Sequence, residues 1–164
     1  MICVAAALST GCAGYHLGPV NNVVAGAKTI QVTPFNNQTL QPRLGDAVTQ
    51  ALRERLQTDG TYRVVTRESG DIVLTGVITS YHREGVSYLR TDVTTTENFR
   101  VDVTAHITVR EHATGKLLLD KNDVKGYTLV QVGTDLASAE RQAAPLLAED
   151  LARNITALLT EGAW

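Results

Sequence analysis

The chemistry that this sequence offers most clearly is acylation of one cysteine. Residues 2–8 form a short apolar run, three small residues follow, and Cys12 comes next. An apolar stretch that ends in small residues at a cleavage site is typical of an export signal, which is removed and takes no part in the fold. The pattern therefore predicts a signal peptide at residues 1–11 and a mature chain that begins with a lipid-modified Cys12.

The remaining reactive side chains predict no catalytic or metal-binding set. His106 and His112 are two of only four histidines, and no Asp, Glu or Cys lies at a ligand spacing from them. The sequence has no Gly-x-Ser-x-Gly nucleophile turn and no phosphate-binding glycine loop. Cys3 would leave with the signal, so no cysteine pair remains for a disulfide. We expect a protein that is not an enzyme, with no catalytic residue, metal or cofactor.

Composition predicts one folded domain behind a tether. The chain has 164 residues, with 43% hydrophobic and 20% charged residues, which suits a single core. A net charge of −2 provides no broad basic surface, so we expect no nucleic-acid partner. No later apolar run approaches the roughly 18 residues of a membrane span, so lipid alone would anchor the protein. Residues 12–27 read as a lipidated tether and residues 28–164 as the domain.

Alternation of apolar and polar residues predicts the strands, most clearly over residues 99–110. Every second residue from Phe99 to Val109 is apolar, and the residues between them are polar. Such a strand buries one face and leaves the other in water. The predicted strands cover residues 28–35, 62–66, 71–82, 99–110 and 116–132. We expect the last three to form an antiparallel meander, with an interruption near Asn122-Asp123.

Two helices complete the predicted domain. Apolar residues recur at helical spacing from Leu44 to Leu56, and Asp59-Gly60 should end this helix. A second helix is predicted over residues 135–159, with a kink or break at Pro145. The fold class is therefore α+β: a two-layer sandwich with one mostly antiparallel sheet of four to five strands and two helices on one face.

Several segments together resemble the LptE family of lipopolysaccharide-assembly lipoproteins. Cys-Ala-Gly-Tyr-His-Leu at residues 12–17 is similar to the start of the mature family proteins, and residues 32–39 resemble the first strand and loop of shorter homologues. The resemblance implies a non-enzymatic, lipid-anchored plug inside the outer-membrane β-barrel LptD. It also implies a location in the outer membrane of a Gram-negative bacterium, facing the periplasm, and a role in lipopolysaccharide transport to the outer leaflet.

The residues between two central strands suggest where lipopolysaccharide would bind. Residues 83–98 should form a protruding hairpin that carries Tyr88, Leu89 and Arg90. Apolar groups beside a cation suit a lipid headgroup, because Arg can bind phosphate bidentately. The resemblance implies the same, since the family has an aromatic residue followed by Arg in the corresponding hairpin. The alternative is a solvated turn in which Arg90 pairs with Asp92.

Lys121 and Lys125 are weaker candidates for the same lipopolysaccharide-binding surface. They lie on the next predicted strand and would extend a basic surface toward Arg90. The alternative is that both are ordinary surface charges.

Two other classes of function remain open at this point. Residues 32–39 also resemble the strand and loop of periplasmic lipoproteins that activate cell-wall synthases, and of curli-secretion-like lipoproteins that form a pore. The polar strand face could also hold an enzyme site, although no set of residues indicates one.

Overall fold

A computed structural model describes residues 28–89, 92–131 and 136–161 of the chain. The predicted signal, the tether and Arg90 lie outside these residues, and so does Asp135, the predicted first residue of the second helix. Six strands and two helices occur in the described part, and their bounds are β1 Thr29–Val32, β2 Asn36–Asn37, α1 Leu44–Asp59, β3 Arg63–Val65, β4 Ile72–Leu89, β5 Asp92–Glu111, β6 Leu117–Gln131 and α2 Leu136–Glu161.

The predicted antiparallel meander is confirmed, and two of its strands are longer than the alternation indicated. β4 pairs with β5 and β5 with β6, with Leu74 opposite Val109 and Val103 opposite Gly126. β4 continues to Leu89, past the predicted end at residue 82. The pattern misses this extension because residues 83–87, whose burial is described, are exposed or only partly buried, so no buried face imposes alternation there.

The predicted α+β sheet is confirmed, with its longest pairings antiparallel, and it also contains short parallel pairings that the sequence did not predict. β1 pairs in parallel with both β3 and β4, and β2 pairs in parallel with β4. The order is β3-β1-β4-β5-β6, with β2 beside β4, so the sheet has six strands instead of four to five. Helix α1 carries the chain back between β1 and β3, and such a crossover makes the two strands parallel. β2 lies in a segment predicted to be a loop.

Both helices pack against one face of the sheet, as predicted. The residues of β5 alternate as the sequence indicated: its apolar positions from Val101 to Val109 are fully buried, and Arg100 and Arg110 are exposed. The large side chains that are fully buried in this core are Ile30, Leu44, Leu52, Leu56, Ile72, Leu74, Ile78, Ile107, Leu147, Leu151, Ile155 and Leu159. We call the opposite, helix-free side of β4, β5 and β6 the open face.

The ends and irregularities of the elements follow from local chemistry. α1 ends where predicted, because Gly60 takes a left-handed φ of 77° and its N–H donates to Leu56 O. The interruption predicted near Asn122-Asp123 is a β-bulge at which Asp123 has a φ of 61°. α2 is one continuous helix with Pro145 inside it, so the predicted break does not occur. Neither described helix combines the length and apolarity that crossing a membrane requires.

Helix α2 packs closely over Gly126 of β6. A Cβ at this position would lie 2.7 Å from Leu151 N and 2.9 Å from Leu151 Cα. Both atoms belong to the backbone of α2, so relief requires the helix to move away from the sheet. The absence of a side chain at Gly126 therefore sets the spacing between α2 and the sheet.

Gly126→Ala should destabilise the domain by about 1–3 kcal/mol, because the added methyl group overpacks this contact. Lys125→Ala, one residue away with an exposed side chain, is the matched control and should change the free energy of unfolding by less than about 0.5 kcal/mol. Urea unfolding of both variants measures the difference. Equal stability of the Gly126→Ala variant and the original protein would contradict the close contact.

Candidate functional site

The open face carries an aromatic and an aliphatic side chain beside an arginine. The Arg100 guanidinium lies 4.3 Å from the centre of the Tyr127 ring, and its Nε donates to Asp102 Oδ1 over 3.0 Å. Leu129 is opposite Arg100 in the β5–β6 register. Tyr127 is 51% exposed and Leu129 64% exposed, so the face has an apolar part that nothing in the described chain covers. We call Arg100, Tyr127 and Leu129 the arginine cluster.

Sequence reasoning missed this cluster, although the sequence contains its signal. From Val124 to Val130 every second residue faces the helices, and the residues between them therefore face the open side. An alternating pattern that places large apolar residues on both faces indicates an exposed apolar surface, and such surfaces often mark interaction sites.

A second polar group lies further along the open face. His106 Nε2 is hydrogen bonded to Asp120 Oδ1, and Thr108 Oγ1 donates to the same oxygen over 3.3 Å. The hydrogen bond with His106 is the largest cause that lowers the pKa of the Asp120 carboxyl below its usual value. Both side chains are partly exposed, at 36% for His106 and 47% for Asp120, so this is a surface pair.

No group of three or more His, Cys, Asp or Glu among the described residues is placed to hold a metal ion.

The structure separates Lys125 from the described residues of the predicted lipopolysaccharide-binding hairpin, Tyr88 and Leu89. Tyr88 and Leu89 are the last residues of β4 that pair with β5, and Tyr88 is opposite Thr96. Lys125 is opposite Thr104, eight residues further along β5, which is roughly 26 Å at about 3.3 Å per residue. Lys125 therefore lies far from the end of the hairpin at which Arg90 follows Leu89.

Lys121 and Lys125 also lie on different faces of the sheet. Lys121 is opposite Ile107, whose side chain faces the helices, whereas Lys125 is opposite Thr104 on the open face. Directly opposite residues share a face, so the bulge at Asp123 separates the two lysines. They are exposed but form no common basic surface with each other.

Helix α2 covers one edge of the sheet with two side chains. The Tyr127 N–H donates to Asp150 Oδ2 over 2.9 Å, and Asn154 Nδ2 donates to Lys125 O over 2.7 Å. Asp150 is buried and also pairs with Arg153. A strand edge with free N–H and C=O groups is a template for another strand, and these contacts occupy two such groups, at Lys125 and Tyr127 of β6.

The loop after β2 presents a fully exposed leucine on an ordered framework. Asn37 Nδ2 donates to Gln41 O over 2.7 Å, and Asn37 Oδ1 accepts hydrogen bonds from both the N–H and the hydroxyl of Thr39. These bonds close the loop around Leu40, whose side chain is completely exposed. The position of the loop is fixed by Phe35, whose N–H donates to Thr49 Oγ1 over 2.9 Å.

The fold is an α+β domain shared with several bacterial proteins of known structure. A hypothetical protein from Chlamydia trachomatis is 8% identical with a TM-score of 0.57, and the match covers 80% of this chain and 95% of that one. A minor lipoprotein from Acinetobacter baumannii is 17% identical with a TM-score of 0.52, covering 82% and 94%. A lipoprotein B from Nitrosomonas europaea is 12% identical with a TM-score of 0.51, covering 91% and 94%. At these identities the likeness shows the fold alone.

Comparison of its sequence with protein-family models shows the family to which the chain belongs. A family model described as LptE, lipopolysaccharide-assembly, matches residues 27–159, which is most of the chain. The protein therefore belongs to the LptE family, as the resemblance of its sequence indicated. No curated protein sequence matches the chain significantly.

The lowered pKa of Asp120 predicts a contribution to stability that depends on pH. A carboxyl whose pKa is lower in the folded state stabilises the fold above its unfolded pKa of about 3.9, and this stabilisation is lost as the pH falls toward the folded value. Asp120→Asn should remove this part of the acid sensitivity. Urea unfolding between pH 6 and the onset of acid unfolding measures it.

Ser80→Ala, which changes an exposed residue of the open face that has no titratable group, is the control and should leave the acid dependence unchanged. Acid profiles of the Asp120→Asn variant and the original protein with the same slope would show that the pair with His106 contributes nothing.

Proposed function

We propose that this protein is a lipid-anchored outer-membrane lipoprotein that fills the lumen of an LptD-like β-barrel and assists lipopolysaccharide assembly and transport to the outer leaflet. Its membership of the LptE family supports this role. Cys12 would carry the lipid, and residues 12–27 would link the lipid to the domain on the periplasmic side of the membrane.

The open face is the observation that carries the proposal. Its residues on β5, from Arg100 to Arg110, are polar, and the helices pack entirely on the other side. The lumen of a wide outer-membrane barrel is also polar, because inward and outward residues alternate along each of its strands. A polar sheet face can pack against such a wall through hydrogen bonds and water without exposing a hydrophobic core.

Lipopolysaccharide would contact the end of the β4–β5 hairpin in this proposal. Tyr88, Leu89 and Arg90 would supply apolar contact and a phosphate-binding cation. The arginine cluster lies closer to this end than Lys125 does, because Arg100 is four residues from Thr96 along β5, or about 13 Å. We therefore assign Lys121 and Lys125 at most a minor part.

Co-purification tests the proposed role directly. Tagged full-length protein extracted from outer membranes should bring down a large β-barrel protein in a stoichiometric complex. Recovery of the lipoprotein alone would contradict the role. A ring-shaped homo-oligomer in sedimentation would instead favour the pore-forming alternative, and stimulation of a reconstituted cell-wall synthase would favour the activator.

In cells that lack the barrel protein, which would otherwise also hold the domain in the membrane, Cys12→Ala should release the protein into the soluble periplasmic fraction, because the lipid is then its only proposed anchor. Fractionation followed by immunoblotting measures the distribution. Cys3→Ala is the matched control, since Cys3 lies in the predicted signal, and it should stay in the membrane fraction. Membrane retention of the Cys12→Ala variant in cells that lack the barrel would count against lipidation.

Arg90→Glu should weaken lipopolysaccharide binding by about tenfold or more, because a phosphate-binding cation becomes an anion. Lys125→Glu makes the same charge change far from the hairpin end and should have a smaller effect. Binding of purified lipopolysaccharide to the soluble domain measures both. An equal or reversed ranking would remove the hairpin end as the binding site.

A further inference from the structure

The meander of β4, β5 and β6 has two outer sides, on β4 and on β6, and their backbone groups are protected differently. On β6, Asp150 and Asn154 bind outward-pointing backbone groups. On the far side of β4, the last partner is the β2 segment, where Gln38 N–H donates to Ile78 O over 3.0 Å. Beyond Ile78 no described strand pairs with β4 on this side, although β4 continues to Leu89.

The register identifies the residues that direct their backbone groups to this open edge. The Tyr127 N–H donates to Asp150, so the backbone groups of Tyr127 point away from β5. Asp102 lies opposite Tyr127 and does not exchange hydrogen bonds with it, so its N–H and C=O groups point to β4 instead. Asp102 is opposite His82, so these two exchange backbone hydrogen bonds. Tyr81 and Arg83, on either side of His82, therefore direct their N–H and C=O groups away from β5.

This stretch of edge is regular enough to accept a strand. β4 and β5 pair without a register shift from Ser80 to Gly85, between irregularities before and after. Alternation makes Gly85 a third residue that points outward. Three consecutive outward positions offer a ladder of donors and acceptors, which only another polypeptide backbone complements in full.

The edge borders an open groove of about 640 Å³ with the exposed leucine on its rim. The groove lies between residues 38–41, Glu140 of α2 and four residues of β4, which are Thr79, Ser80, Tyr81 and Arg83. Arg83 and Glu140 form a salt bridge, so the two charges on the floor of the groove neutralise each other. Leu40 offers an apolar contact beside this neutral surface, where a strand continuing the position of β2 would pass.

We propose that this edge and groove bind an extended, uncharged segment of a partner protein by strand addition, with an apolar side chain against Leu40. The inference rests on the proposed function, because the barrel protein is the partner that would supply the segment. Backbone pairing along Tyr81, Arg83 and Gly85 gives affinity, and Leu40 gives register. On β6, Asp150 and Asn154 already occupy the Tyr127 N–H and the Lys125 carbonyl, so a strand could not pair in full across these two residues.

Photocrosslinking tests the contact with the full-length protein in outer membranes. A photoreactive benzoylphenylalanine in place of Leu40 should form an adduct with the barrel protein. An adduct with a second copy of this chain, with another protein, or with nothing would overturn the inference. Co-purification of the barrel with the original chain in the same membranes separates this failure from failure of the proposed function.

A proline and alanine pair at Arg83 tests backbone pairing specifically. Arg83→Ala and Arg83→Pro both lose the bond with Glu140, but only proline removes the outward N–H. The Leu40 adduct should persist in the Arg83→Ala variant and fall about tenfold in the Arg83→Pro variant. Equal yields from two folded variants would overturn strand addition.

A variant on the exposed loop keeps the inference testable if proline at Arg83 prevents folding. Leu40→Asp alters a side chain with no packing role and should leave the thermal unfolding temperature of the domain unchanged. It should lower the yield of barrel protein that co-purifies by about tenfold relative to Leu40→Met. Equal yields from the Leu40→Asp and Leu40→Met variants would overturn the docking site.

Discussion

The rest of the structure depends on the close packing of α2 across β6. Gly126 lets the helix backbone approach the strand, and the buried carboxylate of Asp150 and the amide of Asn154 then reach the strand's outward N–H and C=O groups. One helix thereby packs on one face of the sheet and also caps two backbone groups at its β6 edge. The described part of the chain leaves the open face and the β4 edge beyond Ile78 without a covering helix or strand.

This arrangement of covered and uncovered surfaces fits a protein that acts by binding other molecules. The core holds the meander rigid, since the apolar residues of β5 are completely buried between the helices and the neighbouring strands. The open face presents polar groups and the arginine cluster. β4 continues from Arg83, its last residue bonded to α2, to Leu89, which is about 20 Å further along the strand. Family membership in LptE, a lipopolysaccharide-assembly family, agrees with such a module.

The sequence predicts most of the fold because its signals are local. Alternation located the core of the meander, and Asp59-Gly60 located the end of α1. The parallel pairing of β1 was missed because register between distant strands leaves no local pattern, and the length of β4 was missed because its extension has no buried face. Lys121 and Lys125 lie on different faces because a single bulge at Asp123 reverses the side on which the residues emerge. The arginine cluster required knowledge of which strands are neighbours.

The central claim is that the open face is covered by a partner in the cell. Labelling of Lys125→Cys with a maleimide reagent measures this most directly, because Lys125 is exposed in the middle of that face and the processed chain would have no other free thiol. The account predicts that the introduced thiol is protected in intact outer membranes and reacts fully in the isolated domain. Equal reactivity in the two preparations would contradict it.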